Sequence, residues 1–386
     1  MCVYDGRVAH TNPFTFGDLA LDDAFTNRTA ELKELRSDVT NGQNVALVAP
    51  RCYGKTSLLR KVAQQLVRKG VLIAEIDLMK TPSKEKLAAT LARAIHDDIA
   101  SPLFKAKERL RVFSGLRITP TVTVDPRSGS TSFSFSATHR REDLDATLEH
   151  LLELPASLAA ERGKRVAMVF DEFQEITEID PKLPALMRAV FQEQPDLAHV
   201  YAGSRRDVMR RLFTHENEPF FRSAKVMELD RIEPRHFVGF VQQRFERTDR
   251  ALGVGVAEQL VAITQGHPYG TQELAYALWE EVPEGFTASS ADLERALEAV
   301  VRSENAHFTL AWETASRAQR LVLQALAAEP GSVFATEYRL RNGLPAASTV
   351  QRAVEQLVAD ELVERRPDGG FDIAEPFLRE WIVRDR

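Results

Sequence analysis

Cysteine is nearly absent from this sequence: Cys2 and Cys52 are the only two. A disulfide framework is therefore excluded, and so is a metal site built from cysteine alone. No uninterrupted apolar run reaches the roughly 18 residues that a membrane-crossing helix needs. The opening residues, Met1 to Arg7, lack the apolar centre of a signal peptide. These absences predict a cytoplasmic protein with no membrane contact. Positive charge is not in excess either. Fifty Lys and Arg stand against 56 Asp and Glu, a net charge of −6 at pH 7. The chain as a whole is not a non-specific nucleic-acid binder, although local basic patches are compatible with that balance. Repeats and low-complexity tracts are missing as well. What remains is an ordinary globular composition, 44% hydrophobic and 27% charged over 386 residues. That length exceeds a single compact core and predicts two or three domains.

The most informative stretch runs from Asn44 to Leu59. An apolar run, Val45 to Val48, breaks into a tight loop, and Gly54-Lys55-Thr56 then opens an amphipathic segment. Strand, loop and helix in that order make a phosphate-binding loop. Backbone N–H groups of the loop and of the helix N-terminus converge on phosphate oxygens. The lysine reaches the β- and γ-phosphates, and the threonine hydroxyl ligates Mg²⁺. Gly54 lets the backbone approach without a side chain in the way. The full pattern has glycine at position 49, where this chain has Ala49. The competing reading is an ordinary βα turn that happens to hold Gly-Lys-Thr.

The remaining pattern alternates short apolar runs with helical periods. A helix is expected from Arg28 to Val39, another from about Thr56 to Lys69, and a buried strand at Val71–Asp77. Ser83 to Ala100 reads as a helix. Between Leu116 and Ala137 the period changes to two, with Ile118, Val122, Val124, Phe133, Phe135 and Ala137 on one face around Pro126–Gly129. That predicts a β-hairpin insertion, at about 116–138, packing on its own domain or protruding toward a partner. A helix at Glu142–Ala160 precedes the strand Arg165–Phe170. A helix at Pro184–Gln194 leads to the strand Ala198–Ala202, and a fifth strand fits Lys225–Leu229. Five apolar strands alternating with helices predict an α/β fold with a doubly wound parallel five-stranded sheet. Residues 1–232 thus form an N-terminal segment and core. From Glu233 to Val301 the pattern is helical only, which suggests a lid over residues 233–303. Residues 304–386 show helix, helix, helix and two strands around an Asp-Gly turn, the order of a winged helix-turn-helix domain.

A phosphate loop needs an acidic companion, because Mg²⁺ bridges phosphates and takes further oxygen ligands. Asp171, ending the apolar run Val166–Phe170, fits that role, with Thr56 as the other metal ligand. Glu172 beside it is placed to polarise an attacking water. Ser204, just after the fourth strand, is a candidate to sense the γ-phosphate, or else a plain loop serine. Arg205, Arg206 and Arg222 are candidates for charge stabilisation supplied to a neighbouring subunit, or else a solvated basic surface; Arg222, just ahead of the fifth strand, is the first choice.

Several motifs in order resemble a known family. Phe25-Thr-Asn-Arg28, Pro50-Arg51…Gly54-Lys55-Thr56-Ser57, Val169-Phe-Asp-Glu-Phe-Gln174, Ala202-Gly-Ser204 and Thr264-Gln-Gly-His-Pro268 are similar to the archaeal-type P-loop ATPases, relatives of the AAA+ and STAND classes. The resemblance extends nearly to the C-terminus, through Ile373–Ile382. It implies an AAA+-like core with sheet order 5-1-4-3-2 and ATP, with Mg²⁺, as the ligand. It implies that Phe25 and Arg28 lie near the adenine, that Pro50, Arg51, Cys52, Tyr53, Gly54, Lys55, Thr56 and Ser57 hold the phosphates, and that His267 and Pro268 form a lid motif near phosphates and base. Ala49 and Cys52 depart from the family's glycines, which leaves room for slow turnover.

Three functions remain open on this reading. The first is an ATP hydrolase acting as a nucleotide-driven switch, whose winged helix couples to a protein partner or to self-assembly. The second is a DNA-binding ATPase regulator. Charge disfavours it, because residues 304–386 hold ten Arg and no Lys against thirteen Asp and Glu. The third is a nucleotide-binding scaffold that never turns over.

Overall fold

The structure, a computed structural model, describes residues 11–17, 25, 27–104, 106–125, 127–136, 140–366 and 368–386. Cys2, Pro126 of the expected turn and Ala137 of the expected hairpin lie outside them. The chain divides into two compact units. One comprises Arg28–Arg51 and Lys55–Asp230; the other comprises Met1–Asn27, Cys52–Gly54 and Arg231–Arg386.

Among the described residues the first unit holds seven strands: β1 (Val45–Val48), β2 (Leu72–Asp77), β3 (Thr121–Val124), β4 (Thr131–Ser134), β5 (Val166–Asp171), β6 (Ala198–Gly203) and β7 (Lys225–Glu228). Five of them form one sheet in the order β2-β5-β6-β1-β7, with every pairing parallel. β1 and β6 are buried along their whole length, as the unbroken apolar runs require of strands covered on both faces. The register sets Val48 beside Gly203 and Phe170 beside Tyr201, so β5, β6 and β1 end at one edge. Ala49, Asp171 and Ser204 therefore emerge side by side, where ligands of doubly wound sheets bind.

Two expectations change in this unit. The helix foreseen over Ser83–Ala100 is α-helical only at Lys84–Ala94, capped by Ser83, and widens into a π turn at Ile95–Ala100. The extra residue per turn keeps Ile95, Ile99 and Ala100 buried. The hairpin forms, with Val122 opposite Phe133. Its buried side comes from β4: Phe133 packs on Phe113 at 5.2 Å and on His96 at 5.5 Å. Val124 is 56% exposed, because the apolar face runs out at the turn end of the outer strand.

The second unit is mainly helical: Pro234–Glu246, Val256–Thr264, Pro268–Glu281, Ser290–Thr314, Arg317–Ala328, Thr336–Arg341, Ala347–Ala359 and Pro376–Asp385. It is not helical only between 233 and 301, since β8 (Ala251–Leu252) pairs in parallel with β9 (Thr287–Ala288). Helix Ser290–Thr314 passes unbroken through residue 303 and carries a capping box, Ser289 with Asp292. Beyond it, β10 (Val363–Arg365) and β11 (Phe371–Ile373) form the antiparallel wing, and Gly331 bridges to Phe371 as a third rung. A single hydrophobic core runs through the unit from Phe14 to Trp381, which is fully buried.

Candidate functional site

Lys55 opens the helix Lys55–Val67, directly after the loop that leaves β1. Its side chain is only 7% exposed, and its ammonium donates to Glu172 Oε1 at 2.7 Å and lies 3.1 Å from Asp171 Oδ1. Glu172 sits at φ +51°, in the left-handed region that non-glycine residues seldom adopt. That turn folds the chain out of β5, so that Asp171 and Glu172 both face Lys55. The flanking Phe170 and Phe173 are fully buried and clamp the turn from both sides. Phe173 lies 4.6 Å from the Tyr201 ring and 5.2 Å from Phe220.

The second oxygen of Glu172 is held separately. Ser204 Oγ–H donates to Oε2 at 2.8 Å, and the Gln174 side-chain amide donates to the same oxygen at 2.6 Å. Burial alone would raise the Glu172 carboxyl, but the Lys55 ammonium and the Gln174 and Ser204 donors outweigh it. The group is held below the ordinary carboxylate range and stays ionised. The structure thus brings together Lys55, Asp171, Glu172 and Ser204, four of the residues that the sequence singled out. Gln174 joins them although sequence reasoning gave it no role. Its only signal was its place two residues after Glu172 in the quoted motif.

The loop itself has a mixed backbone. Cys52 and Gly54 take φ values of +64° and +80°, while Ala49 is not among the left-handed residues. Residues of alternating hand turn successive N–H groups toward one concavity, an arrangement suited to an anion. No atom lies within 4 Å of where a Gly54 side chain would begin, and its φ of +80° is what calls for glycine there. Among the described residues no group of three or more His, Cys, Asp or Glu could hold a metal ion. A divalent cation here would have to draw on Asp171, the Thr56 hydroxyl and phosphate oxygens, a donor set that suits Mg²⁺.

Other expected residues are placed as follows. Arg28 is buried at φ +59°, donating to Glu31 at 3.0 Å and to the Asp230 carbonyl. Pro50 is half-buried, Arg51 and Cys52 are exposed, and Ser57 is buried. Phe25 is half-buried in the other unit. Arg222 is exposed over the Phe221 ring, just before β7, and Arg205 is exposed too. Arg206 donates to the Leu229 carbonyl at 3.4 Å.

In the second unit, Tyr53 is 2% exposed and its hydroxyl donates to Glu364 Oε2 of the wing at 3.0 Å. Arg231 grips the other oxygen of Glu364 at 2.7 Å and also donates to Gln265 at 2.6 Å. Burial, together with Glu364, pushes the Tyr53 hydroxyl well above its ordinary range, so it remains a donor. The edge of the Tyr53 ring meets His267 at 5.0 Å. His267 is 3% exposed and caps the helix that Pro268 begins, accepting from Gly270 N–H at 3.1 Å. Burial, with Arg231 nearby, lowers it to about 3, so it is neutral. Gly266 must be glycine: its φ is +72° and a Cβ would lie 2.2 Å from the Ile232 carbonyl oxygen. Glu364 and Arg231 carried no sequence signal, because their pairing joins residues 133 positions apart.

A parallel sheet ending in a phosphate loop, with a lysine facing an Asp-Glu pair and a winged helix downstream, defines a P-loop ATPase. The chain belongs to the family of ATPase domains found predominantly in Archaea, whose profile matches residues 25–274. A probable winged helix domain matches residues 306–384. Among solved structures, a Walker-type ATPase of Pyrococcus abyssi is 17% identical, with 94% of this chain and 97% of that chain covered at a TM-score of 0.64. That likeness is one of fold. The ORC2 protein of Aeropyrum pernix, in ADPNP and ADP complexes, is 14% identical over 93% of this chain and 94% of that one, with a TM-score of 0.49. The ORC1 protein of the same organism, in complex with DNA, is 14% identical over 94% of each chain at 0.47. Among curated proteins none matches the chain.

Proposed function

We propose that the chain is a Mg²⁺-dependent ATP hydrolase acting as a nucleotide-driven switch, with its winged helix as the coupling or partner-binding module. The observation that carries the hydrolase reading is the contact of Lys55 with both Asp171 and Glu172. Lys55 would neutralise the β- and γ-phosphates, and Thr56 and Asp171 would hold the metal. Bound Mg²⁺ would supply Lewis-acid neutralisation of developing phosphate charge. Glu172 would take the proton of the attacking water, and Ser204 would sense the γ-phosphate. Arg222, exposed and ahead of β7, would be the arginine that serves a neighbouring copy. Phe25, Arg28, His267 and Pro268 complete the nucleotide-binding set on family resemblance.

The switch reading is supported by Tyr53. A residue of the phosphate loop is hydrogen-bonded to the wing through Glu364, which Arg231 holds from the other side. Rearrangement of the loop around phosphates would be felt at β10. The test is amide exchange of residues 363–373 with and without ATP. ATP should change their protection in the wild type, and Tyr53→Phe should abolish most of that change while keeping ATP affinity. Equal responses in both would contradict the coupling. Against a DNA-reading role, Gln351 pairs with Glu355 and Gln356 with Asp360 along the helix Ala347–Ala359, and in the wing Arg366 pairs with Asp368.

A further inference from the structure

We infer that Gln174 is a positioning residue of the hydrolytic site, fixing Glu172 so that its Oε1 is the oxygen that receives the water proton. The inference rests on the hydrolase reading above. The two Glu172 oxygens have different company. Oε2 accepts from Gln174 at 2.6 Å and from Ser204 at 2.8 Å, while Oε1 meets Lys55 at 2.7 Å. Gln174 Nε2 also donates to Ser204 Oγ at 3.5 Å, so the two donors of Oε2 are themselves in contact. When Lys55 turns to phosphate oxygens, Oε1 is released. Oε2 keeps both of its donors, so the carboxylate stays aimed while its basic oxygen becomes available.

The placement of Gln174 argues that the amide is there for this purpose. The residue is 2% exposed, yet its Oε1 has no hydrogen-bond partner. A buried half-satisfied amide is costly, and an apolar side chain of the same length would avoid that cost. The amide cannot usefully be reversed, since its oxygen would then face the Glu172 carboxylate. Room for it is provided by Gly203: a Cβ there would come within 2.5 Å of Gln174 Oε1. The short 3₁₀ turn Phe173–Glu175 carries Gln174 back over Glu172, anchored by the buried Phe173.

The test measures ATP turnover against pH, together with ATP affinity, for Gln174→Met, Gln174→Glu and Glu172→Gln. Gln174→Met should bind ATP within about twofold of wild type but turn over slower by on the order of 10- to 100-fold, as expected for a misaimed reacting group. Gln174→Glu keeps the shape and can donate only when protonated, so its activity should recover as pH falls. Unaltered rate and pH profiles in both Gln174 variants, with Glu172→Gln inactive, would overturn the role of Gln174 alone. An active Glu172→Gln would overturn the hydrolase assignment beneath it.

Discussion

Cys52 and Glu172 both hold left-handed backbone, at φ +64° and +51°. Arg28 and Arg222 share this conformation at +59° and +52°. Four of the candidate residues thus stand in a conformation that persists only when its surroundings enforce it. The sequence drew attention to Ala49 as the defective letter of the loop. Ala49 is fully buried, lies outside the left-handed region and donates to the Gly203 carbonyl at 3.2 Å, so nothing there demands glycine. The departure that matters sterically is Cys52. A β-branched residue tolerates positive φ poorly. Cys52→Val should destabilise the fold by about 1–3 kcal/mol and weaken ATP binding, whereas Ala49→Gly should leave ATP affinity unchanged. Thermal melts and nucleotide titration check both.

At the scale of elements, the site depends on how firmly the end of β5 is held. Phe173 makes ring contacts with Phe170, Tyr201, Phe213 and Phe220, with centroids 4.6–6.1 Å apart. Phe173→Ala should lose about 3–5 kcal/mol of stability, typical of a buried phenylalanine. A denaturant melt that shifted by less than about 1 kcal/mol would deny Phe173 its clamping role. The buried strands were legible because each is an apolar run bounded by turns; Asp171, Glu172 and Ser204 were legible from their places at strand ends, and Lys55 from its place at the start of the helix after the loop. The π turn at Ile95–Ala100 and the short pairing of β8 with β9 left no periodic mark. Gln174 and Arg231 escaped for another reason: their roles arise from side chains meeting across the fold, which spacing along a chain does not encode.

Over the whole molecule, buried titratable groups set opposing pH dependences. Burial, with Glu304 and Glu375 adding to it, pushes Glu273 up to about 8 from its ordinary 4.5. Glu375 rises to about 7, chiefly through burial. Between about 4.5 and 8 the folded chain keeps protons that the unfolded chain has released, so these groups make stability fall as pH rises. His199 and His267 act in the opposite sense, since burial lowers each from 6.5 to about 3. Below 6.5 the unfolded chain binds protons that the fold excludes, and stability falls toward acid. The two pairs of groups oppose each other between about 4.5 and 6.5, so the decline they cause toward alkaline pH is felt above about 6.5. Glu273→Gln should flatten the decline in Tm between pH 6.5 and 8; an unchanged slope would assign that limb to other groups.

In the proposed function Glu172 activates water for ATP cleavage beside Lys55. Phosphate release under saturating Mg²⁺-ATP, measured for the wild type and Glu172→Gln alongside ATP affinity, tests it most directly. The wild type should release phosphate. Glu172→Gln should bind ATP at least as tightly and release phosphate slower by on the order of 100-fold or more, the usual loss for a general base. A variant that turns over at the wild-type rate would contradict the account.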